Sequence, residues 1–335
     1  MQKDIKEVYE EYKRKMEDFK NEEERIKKEK DTLKRTERLN RLNDRKMKVL
    51  IKYAKPFLNP DIKTKKKEDK TWNWRIYMNS HNLVEENYFD MSNELKYCGS
   101  SQIKSFMDCE ARTMAKITGE WQEEPSTALL VGSYVDAAIS GTLDIFKAKH
   151  PEILKKDGTL KSDYVKADYI LNRIQRDELF MKYISGNHQT IMTGEIANVP
   201  IKIKIDSYFP NKVIVDMKCV RDFEPVWNNE TKTKENFIDY WKYTLQGALY
   251  QEIVRQNTGK KLPFYIAAVT KENEPDIAVV GIPDEELEKQ LEIIKEVLPT
   301  ISNIKNGVIA PKRCEKCDYC KYTKKLDKVI DYRDL

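Results

Sequence analysis

Asp206, Asp216 and Lys218 share one short stretch, VPIKIKIDSYFPNKVIVDMK (residues 199–218), with two acids ten residues apart and a lysine two residues past the second. Carboxylates that converge across paired strands are hard oxygen ligands for Mg²⁺ or Mn²⁺, and the carbonyl of Met217 can add a further oxygen. A lysine beside them can steady an attacking water or the charge that develops on phosphorus, so the set points to metal-assisted phosphodiester hydrolysis. Asp-x-Lys next to a Pro-Asn turn is also common in solvated hairpins, and its meaning rests on the remainder of the chain. A second group is softer. Cys314, Cys317 and Cys320 run as Cys-x2-Cys-x2-Cys, while Cys98, Cys109 and Cys219 are scattered. Three thiolates so spaced can wrap one soft metal or an iron–sulfur cluster, and closing a tetrahedral site takes a fourth ligand.

The elements that must position the acids are two strands joined at Pro210-Asn211. Ile201, Ile203 and Ile205 alternate with Lys202, Lys204 and Asp206; Val213, Val215 and Met217 alternate with Ile214, Asp216 and Lys218. A period of two predicts an apolar set packed inward and an opposite face that carries the charges. Downstream, NFIDYWKYTLQGALYQEIVRQNTG reads as one helix closed by Gly259, with Tyr243, Gln246 and Tyr250 on a common face. Tyrosines at that spacing are usually half-buried core residues. Upstream, GSSQIKSFMDCEARTMAKITG predicts a Ser-capped amphipathic helix, TALLVGSYVDAAISGTLDIFKAKHPEIL a buried helix or helix pair bearing Asp136, and residues 161–184 another helix. Glu195, in TGEIANVP, is either a further acidic contributor or a solvated strand end. FYIAAV and DIAVVGI supply two more strands, and PDEELEKQLEIIKEVLPTISNIKNG a helix opened by Pro283. Helices and strands in this order predict an α/β fold around a small mixed sheet.

The chain of 335 residues is 40% hydrophobic, enough for a sizeable core, but 35% charged, which signals a non-globular segment. Residues 1–70 hold 24 Lys+Arg against 16 Asp+Glu, so the remaining 61 − 24 = 37 basic residues face 56 − 16 = 40 acidic ones and all the positive excess lies in the first part. Residues 1 to 53 contain no proline or glycine, which favours a long helix. Its heptad through Ile5, Tyr12, Phe19, Ile26 and Leu33 is only half apolar, since the companion positions include Lys15, Glu22 and Glu29. Residues 41–70, with 11 basic and 4 acidic side chains, can follow a phosphate backbone. The expected organisation is a charged helical arm and linker over 1–75 and a catalytic domain over 76–335. No apolar run is long enough to span a membrane and the start lacks a signal-peptide core, so a cytoplasmic protein with reduced thiols is expected.

The stretch from Asp206 to Lys218 resembles the PD-(D/E)xK nuclease superfamily, where an acid about ten residues upstream of D/E-x-K completes the metal site. Y-x-x-Q-x-x-x-Y over 243–250 resembles the glutamine-tyrosine motif of RecB-type and RecE-type nucleases, which implies Gln246 as a site residue and Tyr243 and Tyr250 as DNA contacts. Asp136 stands four residues after Gly132, where RecB-like nucleases commonly carry a histidine ligand; aspartate is the better partner for a hard cation. SSQIKSFMDCEA is similar to a segment of iron–sulfur nucleases such as AddB, which implies Cys109 as fourth ligand to Cys314, Cys317 and Cys320, holding an iron–sulfur cluster; the short gap to Cys320 leaves zinc, or no metal, as the alternatives, and Cys219 is the competing fourth ligand. From about residue 95 onward the chain resembles the phage RecE-like exonucleases of the exodeoxyribonuclease VIII type. The resemblance implies a restriction-endonuclease-like core in which Asp136, Asp206, Asp216 and the Met217 carbonyl hold Mg²⁺ and Lys218 activates water. It further implies digestion of one strand of duplex DNA from its 5′ ends, leaving 3′ overhangs for a RecT-like annealing protein, by a homo-oligomer in the host cytoplasm. A catalytically weak DNA-binding scaffold of the same fold and a structure-selective endonuclease are the alternatives.

Overall fold

The computed structural model describes residues 83–123, 126–229, 231–326, 329 and 331–334, with isolated helical positions between 14 and 45. The rest of the expected arm, its heptad seam and its basic stretch lie outside the described residues. The chain divides into two compact units, Met1–Met78 and Asn79–Leu335.

In the second unit the helices α1 (Met91–Lys96), α2 (Ser100–Asp108), α3 (Glu110–Ile117), α4 (Thr127–Ile139), α5 (Leu143–Lys149), α6 (Ser162–Gln175) and α7 (Glu178–Ile184) precede three strands, β1 (Asn187–Ile196), β2 (Val199–Phe209) and β3 (Val213–Val220). A small hairpin of β4 (Val226–Asn228) and β5 (Thr233–Glu235) follows, then α8 (Phe237–Tyr240), α9 (Tyr243–Thr258), β6 (Phe264–Thr270), β7 (Ile277–Ile282), α10 (Asp284–Lys305) and α11 (Asp318–Tyr322). The central sheet has the order β1-β2-β3-β6-β7. Every neighbouring pair is antiparallel except β3 and β6, whose parallel pairing requires the crossover that α8 and α9 provide. The expected α/β class with a mixed sheet flanked by helices is the fold observed.

The sheet is covered on both faces. Ile201, Ile203, Ile205, Ile214 and Ile266 join Leu249 and Ile253 of α9 and Leu298 of α10 in one apolar cluster. Val215, Met217, Ala267 and Val269 join Val131 and Val135 of α4, Ile170 of α6 and Phe180 of α7 in the other. Each fully buried isoleucine contributes about 2 kcal/mol of transfer free energy, which anchors the strands that carry the acids. Gly247 lets α9 lie directly on the sheet: a Cβ there would meet the Phe264 ring at 2.6 Å.

Three single helices expected from periodicity are each two. Cys109 is extended (φ −161, ψ 107) and separates α2 from α3, its sulfur taking the Arg112 N–H. Asp177 caps α7 through the Phe180 N–H, dividing the helix expected over 161–184. Asn236 caps α8, and a left-handed Lys242 (φ 51) divides it from α9. Capping side chains compete locally with helix continuation, which a hydrophobic period cannot register. The strand β1 and its two-residue turn to β2, Ala197 and Asn198 at φ 50 and 59, were also not expected; positive φ at both positions gives the hairpin its twist-matched turn. Nor is the charged face of β2 open to solvent. Lys202 is only 2% exposed; its ammonium pairs with Glu94 at 2.7 Å and donates to the Tyr88 carbonyl.

Candidate active site

The pleat of the sheet breaks where the acids sit. Ile201, Ile203 and Ile205 point into the same cluster as Tyr208, so the alternation along β2 changes parity between 205 and 208. On β1, His188 pairs with Ser207 and Thr190 with Ile205; the intervening Gln189, level with Asp206, is left-handed at φ 49. The β2–β3 ladder runs only from Ser207–Phe209 to Val213–Val215. Past its end the Asp206 carboxylate takes over, its Oδ2 accepting the Met217 N–H at 3.0 Å. A residue in a strand sends its N–H and C=O out on the same edge, so the Met217 carbonyl faces this same gap.

Asp216 is the hub. Its Oδ1 accepts a 2.6 Å hydrogen bond from Gln246 Nε2 on α9, and its Oδ2 meets the Lys218 ammonium at 2.5 Å. The Asp216 side chain is 2% exposed and that of Lys218 21%, which leaves the lysine as the more accessible of the two. Asp136 on α4 receives the amide of Gln189 on both oxygens, at 3.2 and 3.3 Å. Tyr243 is half-buried, its ring centroid 5.1 Å from Lys218 Nζ and 5.2 Å from Lys104 Nζ. Five of the expected site residues, Asp136, Asp206, Asp216, Lys218 and Gln246, thus converge from two strands and two helices, with Tyr243 at their edge. Tyr250 is a correction: it is buried and its hydroxyl donates to the Lys204 carbonyl at 2.9 Å, so its spacing marks core packing, with no route to a DNA chain. Glu195 is an exposed strand end whose backbone is held by Gln256.

The electrostatics are those of crowded like charges. Burial pushes the Asp206 carboxyl well above the usual range, and Asp216 and Asp136 push it further, against Lys218 and the Met217 N–H. Asp136 is raised by burial, with Lys204 opposing and Asp216 reinforcing. Burial disfavours the Lys218 ammonium, but Asp216 and Asp206 outweigh it and the lysine is raised. Lys104, on α2, is lowered to about 8 by burial and by Lys218. One buried and two half-buried carboxylates that repel one another call for a cation, and their all-oxygen donor set suits Mg²⁺ or Mn²⁺. Mg²⁺ keeps several waters and needs only one or two carboxylates beside a phosphate, so the acids need not pack tightly around it.

Two residues of this region escape sequence reasoning. Gln189 is reached only through a left-handed backbone position with no motif, and Lys104 is one polar residue on an amphipathic helix. Neither carries a signal that spacing could expose.

The cysteines form a separate group. Sγ of Cys109 lies 3.6 Å from that of Cys320 and 3.8 Å from that of Cys317, and Cys314 lies 3.9 Å from Cys320. All four sulfurs fall within 4.8 Å of one another, the one such group of metal-ligating side chains among the described residues. Cys109 is therefore the fourth member expected. Cys219, the competitor, packs instead in the apolar cluster beneath α4, where burial raises its thiol to about 12. A left-handed Glu315 (φ 57) turns the chain so that the N–H groups of Lys316 and Cys317 face Cys314, whose thiol they lower to about 6.

A family described as "PDDEXK-like domain of unknown function (DUF3799)" matches residues 99–323. No curated protein matches the chain. Among solved structures, the chain is similar to a protein from Eubacterium rectale named as a candidate exonuclease, at 45% identity and a TM-score of 0.72, over 75% of this chain and 97% of that one.

Proposed function

The chain belongs to this PDDEXK-like family, and from that premise we propose that it is a Mg²⁺-dependent deoxyribonuclease that digests one strand of linear duplex DNA from its 5′ ends. The observation that carries the reading is the convergence of Asp136, Asp206, Asp216, Lys218 and Gln246 at the broken pleat. Asp136, Asp206, Asp216 and the Met217 carbonyl would hold the ion, which supplies a polarised phosphoryl oxygen and a more acidic water.

The chain's own groups do the positioning. Gln246 fixes one oxygen of Asp216 and so leaves the other to Lys218. With a cation held by Asp216, the Lys218 ammonium would be available to donate to the attacking water or to a phosphate oxygen. Lys104 and Lys242 add positive charge along the Tyr243 edge, where a phosphate backbone would run; Lys242 is already loosely paired with Asp108 at 3.5 Å. The family name and the neighbour's name support a nuclease. Polarity, the 3′ overhang, a RecT-like annealing partner, phage recombination and a homo-oligomer are the finer parts of the proposal.

The test compares Mg²⁺-dependent digestion of a linear duplex labelled at either 5′ or 3′ ends with that of a covalently closed circle. Loss of label from 5′ ends with the circle intact is the expected result. Equal cutting of the circle would establish an endonuclease instead, and no cutting of either would leave a DNA-binding scaffold.

A further inference from the structure

We infer that Cys109, Cys314, Cys317 and Cys320 take a single zinc ion, and that this ion fastens the C-terminal segment to the break between α2 and α3. A tetrahedral ion with metal–sulfur bonds of about 2.3 Å sets its sulfurs about 3.8 Å apart. The sulfurs here stand 3.6, 3.8 and 3.9 Å apart. In a four-iron cluster each thiolate ends on its own iron, with the iron–sulfide core between them, and the sulfurs are spread well beyond the 4.8 Å that encloses all four here. The quartet does not fit that cluster. Nor are these sulfurs in disulfides, since all six cysteines are free.

Four thiolates with no oxygen ligand among them select a soft or borderline ion and leave no open position, the arrangement of a structural zinc site. Backbone N–H groups of Arg112 and Cys317 donate to Cys109 and Cys314 at 3.4 and 3.3 Å, sharing the negative charge that four thiolates leave on a divalent ion. The local packing also needs a fastener. The apolar cluster around the quartet has Cys109, Ala111 and Cys320 as its buried members, with Cys314, Cys317 and Tyr319 partly buried against them, and α11 has five residues. Beyond the sulfurs, the segment is held by the Ala111 N–H to Lys312 carbonyl bond (3.0 Å), the Lys312 N–H to Glu110 bond (2.7 Å) and the ring of Trp121, edge-on to Tyr319 and tilted against Tyr322. So small an apolar cluster does not hold a segment by itself, whereas a bound structural ion contributes directly to folding.

The test is elemental analysis and an absorption spectrum of the full chain purified without oxygen and without added metal. About one zinc per chain with a colourless spectrum is expected. Iron at about four per chain with labile sulfide, a single iron, or no metal at all would each overturn the assignment. Replacement by Co²⁺ supplies a second reading: the full chain should show the intense sulfur-to-cobalt and d–d bands of a tetrahedral four-thiolate site, and Cys109→Ser should shift them. A Cys109→Ser protein with the unaltered spectrum would remove Cys109 from the ligand set. Should that variant not fold, limited proteolysis of the unmodified protein replaces it. Chelation should then expose cleavage between residues 310 and 323, and an unchanged digest would refute the fastening role. These readouts involve no DNA, so they stand or fall apart from the nuclease proposal.

Discussion

The carboxylate site and the cysteine quartet answer the same problem, how to place like-charged ligands near one another, in opposite ways. The cysteines are drawn together across more than two hundred residues of sequence until four sulfurs nearly touch. The aspartates stay apart, each held by its own partner: Asp136 by Gln189, Asp206 by the Met217 N–H, Asp216 by Gln246 and Lys218. Sulfur ligands that surround an ion leave it nowhere to react. Carboxylates fixed by the protein around an incomplete shell leave positions for water and substrate. In the roles proposed for them, the difference separates a site that would hold the chain together from one that would keep positions open for chemistry.

The comparison breaks most visibly at its two centres. Asp216→Ala should lower the rate of linear duplex digestion by at least about a hundredfold while leaving the fold and metal content of the quartet intact. Equal rates in the two proteins would remove Asp216 from the chemistry. Cys320→Ser should do the reverse, lowering the thermal midpoint by several degrees, because loss of a structural ion costs a few kcal/mol or more. Its residual activity at low temperature should exceed that of Asp216→Ala. If instead Cys320→Ser melts like the unmodified protein, the quartet is not a structural fastener.

How far the sequence foretold this division depends on what each residue's neighbours supply. The acids were legible because their spacing lies within one hairpin, but the period of two does not account for how they meet: Ile201, Ile203 and Ile205 pack in one cluster, Val215 and Met217 in the other, and the parity change past Ile205 is what sequence alternation could not register. Gln246 needed the helical period together with a motif, and the helix sets its amide on Asp216. Tyr250 shared the same period and went inward, because a helix on a sheet buries most of its circumference. Cys109 was expected as the fourth thiol, yet the helix break that aims its sulfur was not, since an extended residue between two helical runs has no compositional mark. Gln189 was invisible: its left-handed backbone reflects strain imposed by the sheet around it, and nothing in its identity demands that conformation.

A smaller effect follows from the repulsion. Asp206 titrates above its unfolded value, so it stabilises the fold when protonated, and that contribution is lost as pH rises through its folded pKa. Wherever it is ionised in the fold, its charge is therefore a liability. Asp206→Asn keeps an oxygen to accept the Met217 N–H and removes the charge. The substitution should raise the thermal midpoint above neutral pH by roughly 2–4 °C per kcal/mol of relieved repulsion, narrow the difference at acidic pH, and abolish the stabilisation by Mg²⁺ expected of the unmodified protein. A midpoint that falls at every pH would mean that Lys218 and the N–H already neutralise the carboxylate.

The smallest effect tests the side of the site that no motif marks. Gln189 holds both oxygens of Asp136 through one amide while its own carbonyl oxygen is buried without a hydrogen-bond partner. A left-handed non-glycine residue costs about 1 kcal/mol or more of backbone strain, which the surrounding sheet must offset. Gln189→Gly relieves the strain and removes the amide, whereas Gln189→Asn keeps the amide type but shortens its reach. If Gln189 positions Asp136, both variants should need several-fold more Mg²⁺ for half-maximal digestion while the rate at saturating Mg²⁺ falls by less, and Gln189→Gly should unfold no earlier than the unmodified protein. If the residue serves only the turn of the strand, the Mg²⁺ requirement stays fixed and the thermal midpoint alone moves. The split between these two readings decides whether the broken pleat is a by-product of packing or the device that keeps the third aspartate in place.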